Sequence, residues 1–137
     1  DTMWEGTAKV AYKIAYEIHD KSPDTVVKVF NISKADKNEV MTEVFKSKAI
    51  VVGSPTVGNG ILSSVAGWME FLRQLKFKNK KAAAFGCYGW SGESVKILKE
   101  QLKTAGFDVI DEEVRLLWNP KEEDTETINA LVEGLLN

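Results

Sequence analysis

Two short runs constrain the architecture more than anything else in this chain. Ala49-Ile50-Val51-Val52 ends in Gly53, and Ala82-Ala83-Ala84-Phe85 ends in Gly86, with no polar residue inside either run. A strand with one wet face alternates apolar and polar residues, whereas a strand covered on both faces reads as an unbroken apolar run. Two such runs predict a parallel sheet with helices on each side. The flanking sequence supplies the helices. Val10, Ala11, Ile14, Ala15 and Ile18 fall on one helical face between about Gly6 and His19. Asp36-Lys37-Asn38-Glu39 carries a capping-box pattern ahead of Val40, Met41, Val44 and Phe45. Val65, Trp68, Met69, Leu72 and Leu75 mark a third helix. Ser91 is placed as the N-cap of a fourth, with Glu93 suited to the helix dipole. That helix runs through Val95, Leu98, Leu102 and Ala105 to a stop at Gly106. Ile128, Leu131, Val132 and Leu135 mark a fifth.

Thr25 to Ile32 is β-branched and aromatic and bounded by turn residues, which predicts a further strand. A last strand region covers Phe107 to Ile110 and Val114 to Trp118, interrupted by Asp111-Glu112-Glu113. Helix and strand therefore alternate throughout one α/β domain, residues 1–137, without repeat or linker. The alternation starts on a helix, whereas a doubly wound sheet starts on the strand that feeds its first helix. The expected order is 2-1-3-4-5, with strand 1 upstream of Asp1 and this chain a fragment of a longer one. The opening Asp1-Thr2-Met3 has no initiator Met at position 1 and no signal-peptide pattern.

Counts exclude several kinds of chemistry. A single Cys (Cys87) rules out an internal disulfide, a CxxC pair or an iron–sulfur cluster, and one His (His19) argues against a histidine-rich metal site. With 18 Lys+Arg against 20 Asp+Glu, charge alone suggests neither nucleic-acid nor membrane binding. No apolar run approaches the ~18–20 residues of a membrane span. No residue stands out as a catalytic acid, base or nucleophile.

Ligands of open parallel sheets sit outside the carboxyl ends of the strands, where the order reverses. Three loops at that end are rich in glycine, hydroxyl and aromatic residues: Asp1–Thr7, Ser54–Gly60 and Gly86–Gly92. In the first, Thr2, Trp4 and Thr7 add side-chain donors to the free amides of a helix that begins near Gly6. Such helix starts bind phosphate, although Thr2 and Thr7 could simply cap the helix. GxxxxGK[ST] and GxGxxG are both absent, so a single phosphate suits the loop better than a triphosphate or dinucleotide. In the third loop, Tyr88 and Trp90 lie among glycines, where aromatic rings stay wet unless a flat ligand covers them; packing of Trp90 on its own helix is the plainer possibility. A flat heteroaromatic with one phosphate explains all three loops, and flavin mononucleotide (FMN) has that shape.

Asp1-Thr2-Met3-Trp4-x-x-Thr7, Gly53-Ser54-Pro55-Thr56-x-x-Asn59-Gly60 and Ala84-Phe85-Gly86-x-Tyr88-Gly89-Trp90-Ser91-Gly92-Glu93 resemble the flavodoxin-like domain of flavodiiron proteins, including flavorubredoxins. The resemblance covers essentially the whole chain. It departs at Cys87, where relatives commonly have Ser, and at Gly58, where many have Asn. It implies that Thr2, Met3, Trp4, Gly6 and Thr7 hold the FMN phosphate. It also implies that Ser54, Pro55, Thr56, Asn59, Gly60, Cys87, Tyr88, Gly89, Trp90 and Gly92 hold the isoalloxazine. The implied function is a cytoplasmic electron relay in a homo-oligomeric parent, from a rubredoxin-type donor to a di-iron oxygen or nitric oxide reductase centre in a separate domain. The competing reading is a free-standing NAD(P)H or quinone reductase on the same fold, for which the sequence offers no nicotinamide motif. A flavin-free interaction module is a third. A receiver domain is excluded, because Gly53-Ser54-Pro55 stands where the phosphoacceptor Asp would be.

Overall fold

The computed structural model describes residues 1–3 and 5–137. Helix α1 spans Gly6–Lys21, α2 Lys37–Lys46, α3 Ser63–Leu75, α4 Ser94–Thr104 and α5 Thr125–Leu136, the last preceded by a short 3-10 turn at Glu122–Asp124. The strands are β1 (Ala49–Gly53), β2 (Lys81–Tyr88), β3 (Asp108–Val109) and β4 (Val114–Leu117). All pairings between these strands are parallel. Ala49 to Gly53 of β1 lie opposite Lys81 to Phe85 of β2. On the other edge of β2, Lys81 and Ala82 face β3, and Phe85 to Tyr88 face β4. The predicted last strand is thus two short ladders, separated where the Asp111-Glu112-Glu113 interruption leaves the sheet.

Side-chain alternation along β2 divides the interior into two cores. Ala82 and Ala84 point toward α2, α3 and α4, packing with Val65, Trp68, Met69, Leu72, Leu98 and Leu102. Ala83, Phe85 and Cys87 point the other way, toward Val10, Ile14 and Ile18 of α1 and Ile128, Leu131 and Val132 of α5. Residues 82 to 87 are all buried, which is why the run shows no polar alternation. Leu72, Leu98, Leu102 and Leu131 are completely buried; truncating any one to Ala costs about 2–5 kcal/mol.

Two local expectations need correction. Thr25–Ile32 is not a strand: among the described residues nothing pairs with it, and β1 is laddered only to β2. Strand propensity is realised only through a neighbour's hydrogen bonds, and no described strand lies beside this segment to supply them. Val26 is 82% exposed, while Phe30 and Ile32 reach the core edge. The second correction is at α4. The helix starts at Ser94, not just after Ser91, and the residue before it, Glu93, makes no side-chain cap. The Thr56 hydroxyl, from a different loop, accepts the Ser94 N–H at 3.1 Å. At α2, by contrast, the Asp36 carboxylate accepts from the amides of Asn38 and Glu39 as its sequence suggests.

Candidate functional site

The carboxyl ends of β1, β2 and β4 open onto a cavity of about 330 Å³. The main-chain nitrogen of Asp1 donates to Gly53 O at 2.9 Å, which sets the first loop beside the end of β1. Its carboxylate accepts from Ser64 Oγ and from Ser33 Oγ, the latter at 3.2 Å, tying that loop to α3 and to the segment after Ile32. The second loop is closed by reciprocal hydrogen bonds between Val57 and Gly60, both 2.9 Å. Its central residues have φ values of 52° at Gly58 and 64° at Asn59. Left-handed geometry at both central positions marks a type I′ turn, for which Gly and Asn are the favoured residues. Asn59 Oδ1 accepts from Ser91 Oγ at 3.1 Å, and Thr56 N donates to Cys87 O at 3.1 Å. These two bonds fasten the second loop to the third.

Met3, Gly6, Thr7, Pro55, Thr56, Asn59, Cys87, Tyr88, Gly89 and Trp90, all expected at the site, line this one cavity. Thr2, expected there too, is not part of the lining, and its hydroxyl is buried. Ser54, also expected there, is fully buried and instead braces its loop, donating to Pro55 O and accepting from Leu62 N. Gly60 closes the turn, and Gly92 lies beneath the Tyr88 ring, where a Cβ would come within 3.3 Å of it. Trp4 lies outside the described residues. The wall also contains Gly58 and Ser91, which belong to the expected loops without being assigned to the ligand from sequence, and Trp118 and Asn119, which lie outside those loops. Trp118 reads as the end of a strand. In the structure it follows β4 with φ 62°, donates its N–H to Tyr88 O at 2.8 Å and packs its ring over Gly89. A left-handed tryptophan is strained, and such strain gathers at functional sites. Asn119-Pro120 just after it was a hint of a turn, but not of a wall. Gly6 is required by the same loop: a Cβ there would sit 2.5 Å from Trp118 O.

The polar chemistry of the cavity is unfinished in a particular way. Thr7 is 3% exposed, yet among the described residues neither its hydroxyl nor the buried Thr2 hydroxyl has an oxygen or nitrogen partner; the Cys87 thiol is a weak partner within reach of Thr7. Helix α1 begins without a side-chain cap and without an acidic residue in its first turn. Buried hydroxyls without partners are costly, and uncapped first-turn amides attract an anion. The nearest basic residue in sequence, Lys9, is exposed. Two hydroxyls and a set of amides, without a cation, fit one phosphomonoester. On the other side, Trp90 is 92% exposed and Trp118 58% exposed, two large rings standing at the mouth with apolar area still in water. A planar aromatic ligand fits between such walls. The donor set therefore matches FMN at both ends. Cys87 adds no reactive group: burial pushes its thiol up to about 11, so it remains protonated.

A three-layer parallel α/β domain with this crevice defines a flavodoxin-type flavin carrier. Residues 1–130 match the flavodoxin family, and the chain belongs to that family. It is 46% identical over 120 residues to the anaerobic nitric oxide reductase flavorubredoxin of Vibrio vulnificus, and 43% identical over 120 residues to that of Aeromonas hydrophila. Each alignment covers 88% of this chain and 24% of the relative, so the chain spans about a quarter of the length of these relatives. Among solved structures it resembles rubredoxin:oxygen oxidoreductase from Desulfovibrio gigas, with TM-score 0.93 and 36% identity over 98% of this chain and 33% of that one. The flavodiiron protein of Giardia intestinalis gives 0.85 and 30%, covering 98% and 33%. An archaeal flavodoxin gives 0.81 and 27%, covering 95% and 87%. The resemblance drawn from the three loops holds, and with it the assignment of FMN as cofactor.

Proposed function

We propose that residues 1–137 form the electron-transfer module of a cytoplasmic, homo-oligomeric flavodiiron-type oxidoreductase. It takes electrons from a rubredoxin-type donor and passes them to a di-iron centre in a separate domain, where oxygen or nitric oxide is reduced. The observation that carries the reading is the pair of buried hydroxyls, Thr2 and Thr7, without an oxygen or nitrogen partner among the described residues, at the uncapped start of α1, across from an aromatic glycine loop.

When bound, FMN supplies the redox chemistry, accepting and releasing electrons one or two at a time. The chain supplies position and surroundings. Thr2, Met3, Gly6 and Thr7, with Trp4, would hold the phosphate through hydroxyls and amides. Pro55, Thr56, Asn59, Tyr88 and Gly89 would set the ring edge, with Ser54, Gly60 and Gly92 fixing the loops that carry them. Trp90 and Trp118 would cover the ring faces and exclude water, and Cys87 fills space beneath. Among the described residues the cavity lining holds no carboxylate, imidazole or amine side chain to move a proton to or from a substrate, which suits a carrier better than a reductase with its own substrate.

The protein as isolated should show flavin absorbance, and phosphate analysis should give one phosphate per flavin. The apoprotein should take up FMN but not FAD. Steady turnover with NADH and a quinone, without a protein donor, would favour the free-standing reductase and overturn the relay.

A further inference from the structure

The end of the sheet opposite the crevice carries a second organised surface. At the amino ends of β1 and β2 three segments converge: Lys81 N donates to Lys48 O at 3.1 Å, and Phe77 N to Ala105 O at 2.8 Å. Within 46–48, 76–81 and 103–108 the chain places Lys46, Lys48, Lys76, Lys78, Lys80 and Lys103, together with Lys81, against the single acid Asp108. This is a strongly positive patch on a protein whose net charge is −2. Lys48, Lys76, Lys78 and Lys103 are exposed and make no ion pair among the described residues.

The patch is held rigidly. Lys76 and Asn79 have φ of 51° and 59°, left-handed values that non-glycine residues adopt at a cost. Gly106, with φ 98°, lets the chain press against this turn; a Cβ there would lie 2.0 Å from Phe77 O. The Lys80 ammonium donates to Phe45 O at 3.0 Å and to Ser47 O, locking the turn to the end of α2. Beside this turn Phe45 is 57% exposed, with its ring 5.0 Å from that of buried Phe77. An exposed aromatic anchored on a core ring and rimmed by charge has the anatomy of a protein-binding surface.

The geometry points to a docking site for the acidic face of a separate protein that carries an exposed apolar residue to cover Phe45. Charge sets the sign of the partner, and a single exposed ring, without the row of aromatics on which successive bases stack, favours a protein over a nucleic acid. All the cations are lysines, point charges lacking the bidentate fork used to read phosphates and bases. The eight residues of β2 at ~3.3 Å each separate patch from crevice by about 25 Å, so a partner bound here leaves the cofactor mouth open. The inference is independent of the proposed relay, because it does not involve the cavity.

The test uses the full-length protein and a short fluorescein-labelled polyglutamate peptide with one central phenylalanine, read by anisotropy at low and high salt. Binding should weaken at least about ten-fold in Lys76→Glu/Lys78→Glu, through like-charge repulsion, and several-fold in Phe45→Ser. Lys9→Glu/Lys13→Glu, the same charge change on exposed α1 positions, should leave it unchanged. Equal loss in the α1 variant would show only net-charge attraction and overturn the site. So would an unchanged affinity in Phe45→Ser, or tighter binding of a DNA duplex than of the peptide. Flavin absorbance, measured in parallel, should be the same in all variants; its absence would count against the relay and not against this site.

Discussion

Replacing Thr7 with Val should move two properties in opposite directions. Thr7 is 3% exposed, and among the described residues its hydroxyl has no oxygen or nitrogen partner. Valine has nearly the same shape and a similar helix propensity, so the substitution removes one buried polar atom and, with it, only a weak contact to the Cys87 thiol. Relieving an unsatisfied buried hydroxyl is worth about 1–3 kcal/mol. The apoprotein should therefore gain stability, with Tm rising by roughly 3–5 °C per kcal/mol for a domain of this size. If the same hydroxyl donates to the FMN phosphate, its loss costs a hydrogen bond to a charged group, about 1.5–3 kcal/mol. At 1.4 kcal/mol per factor of ten, affinity should fall by roughly 10- to 100-fold. Urea unfolding of the apoprotein gives the first number, and titration of FMN fluorescence quenching gives the second. A less stable apoprotein with unchanged FMN affinity would mean that the hydroxyl serves the fold, and the phosphate assignment would fail.

Trp90→Ala should weaken FMN binding several-fold or more while leaving apoprotein stability nearly unchanged, since the ring is 92% exposed. Trp68→Ala should do the reverse: its side chain is 4% exposed in the core, so denaturant unfolding should show a loss of about 3–5 kcal/mol. At Trp118, φ 62° predicts that Trp118→Gly is more stable than Trp118→Ala by about 1 kcal/mol; in flavin titrations both should bind less tightly than the parent. Burial raises the Cys87 thiol from its usual 9.0 to about 11, so the folded chain holds that proton more tightly than the unfolded one. Its contribution is intact below pH 9 and is lost as pH climbs toward 11, by at most about 2–3 kcal/mol. Cys87→Ser should flatten that alkaline decline in pH-dependent unfolding.

What could be read from sequence was what depends on neighbours along the chain. Ala49–Val52 and Ala82–Phe85 announced strands covered on both faces, and the heptad-like stripes through Val10, Trp68 and Leu98 gave the helices that cover them. The three loops followed, because carboxyl ends of parallel strands are where such sheets place ligands. Failures came where structure depends on distant partners. Thr25–Ile32 has the residues of a strand but lacks a ladder. Ser91 has the chemistry of a cap, but the cap of α4 is Thr56, some 38 positions away. Trp118 looks like one more strand residue, because nothing in the string of letters shows that its backbone turns left-handed to form a wall.

The Thr56 hydroxyl has a wider consequence. It caps α4 while lining the cavity, in a loop also tied through Thr56 N to Cys87 O and through Asn59 to Ser91; Trp118 N bonds Tyr88 O on the other flank. Displacing the second loop would uncap a helix and break the links to β2. The crevice is thus a stiff frame, and a change of charge inside it meets dipoles that are already fixed in place. Stiffness of this kind keeps nuclear rearrangement small when an electron arrives at or leaves a bound flavin.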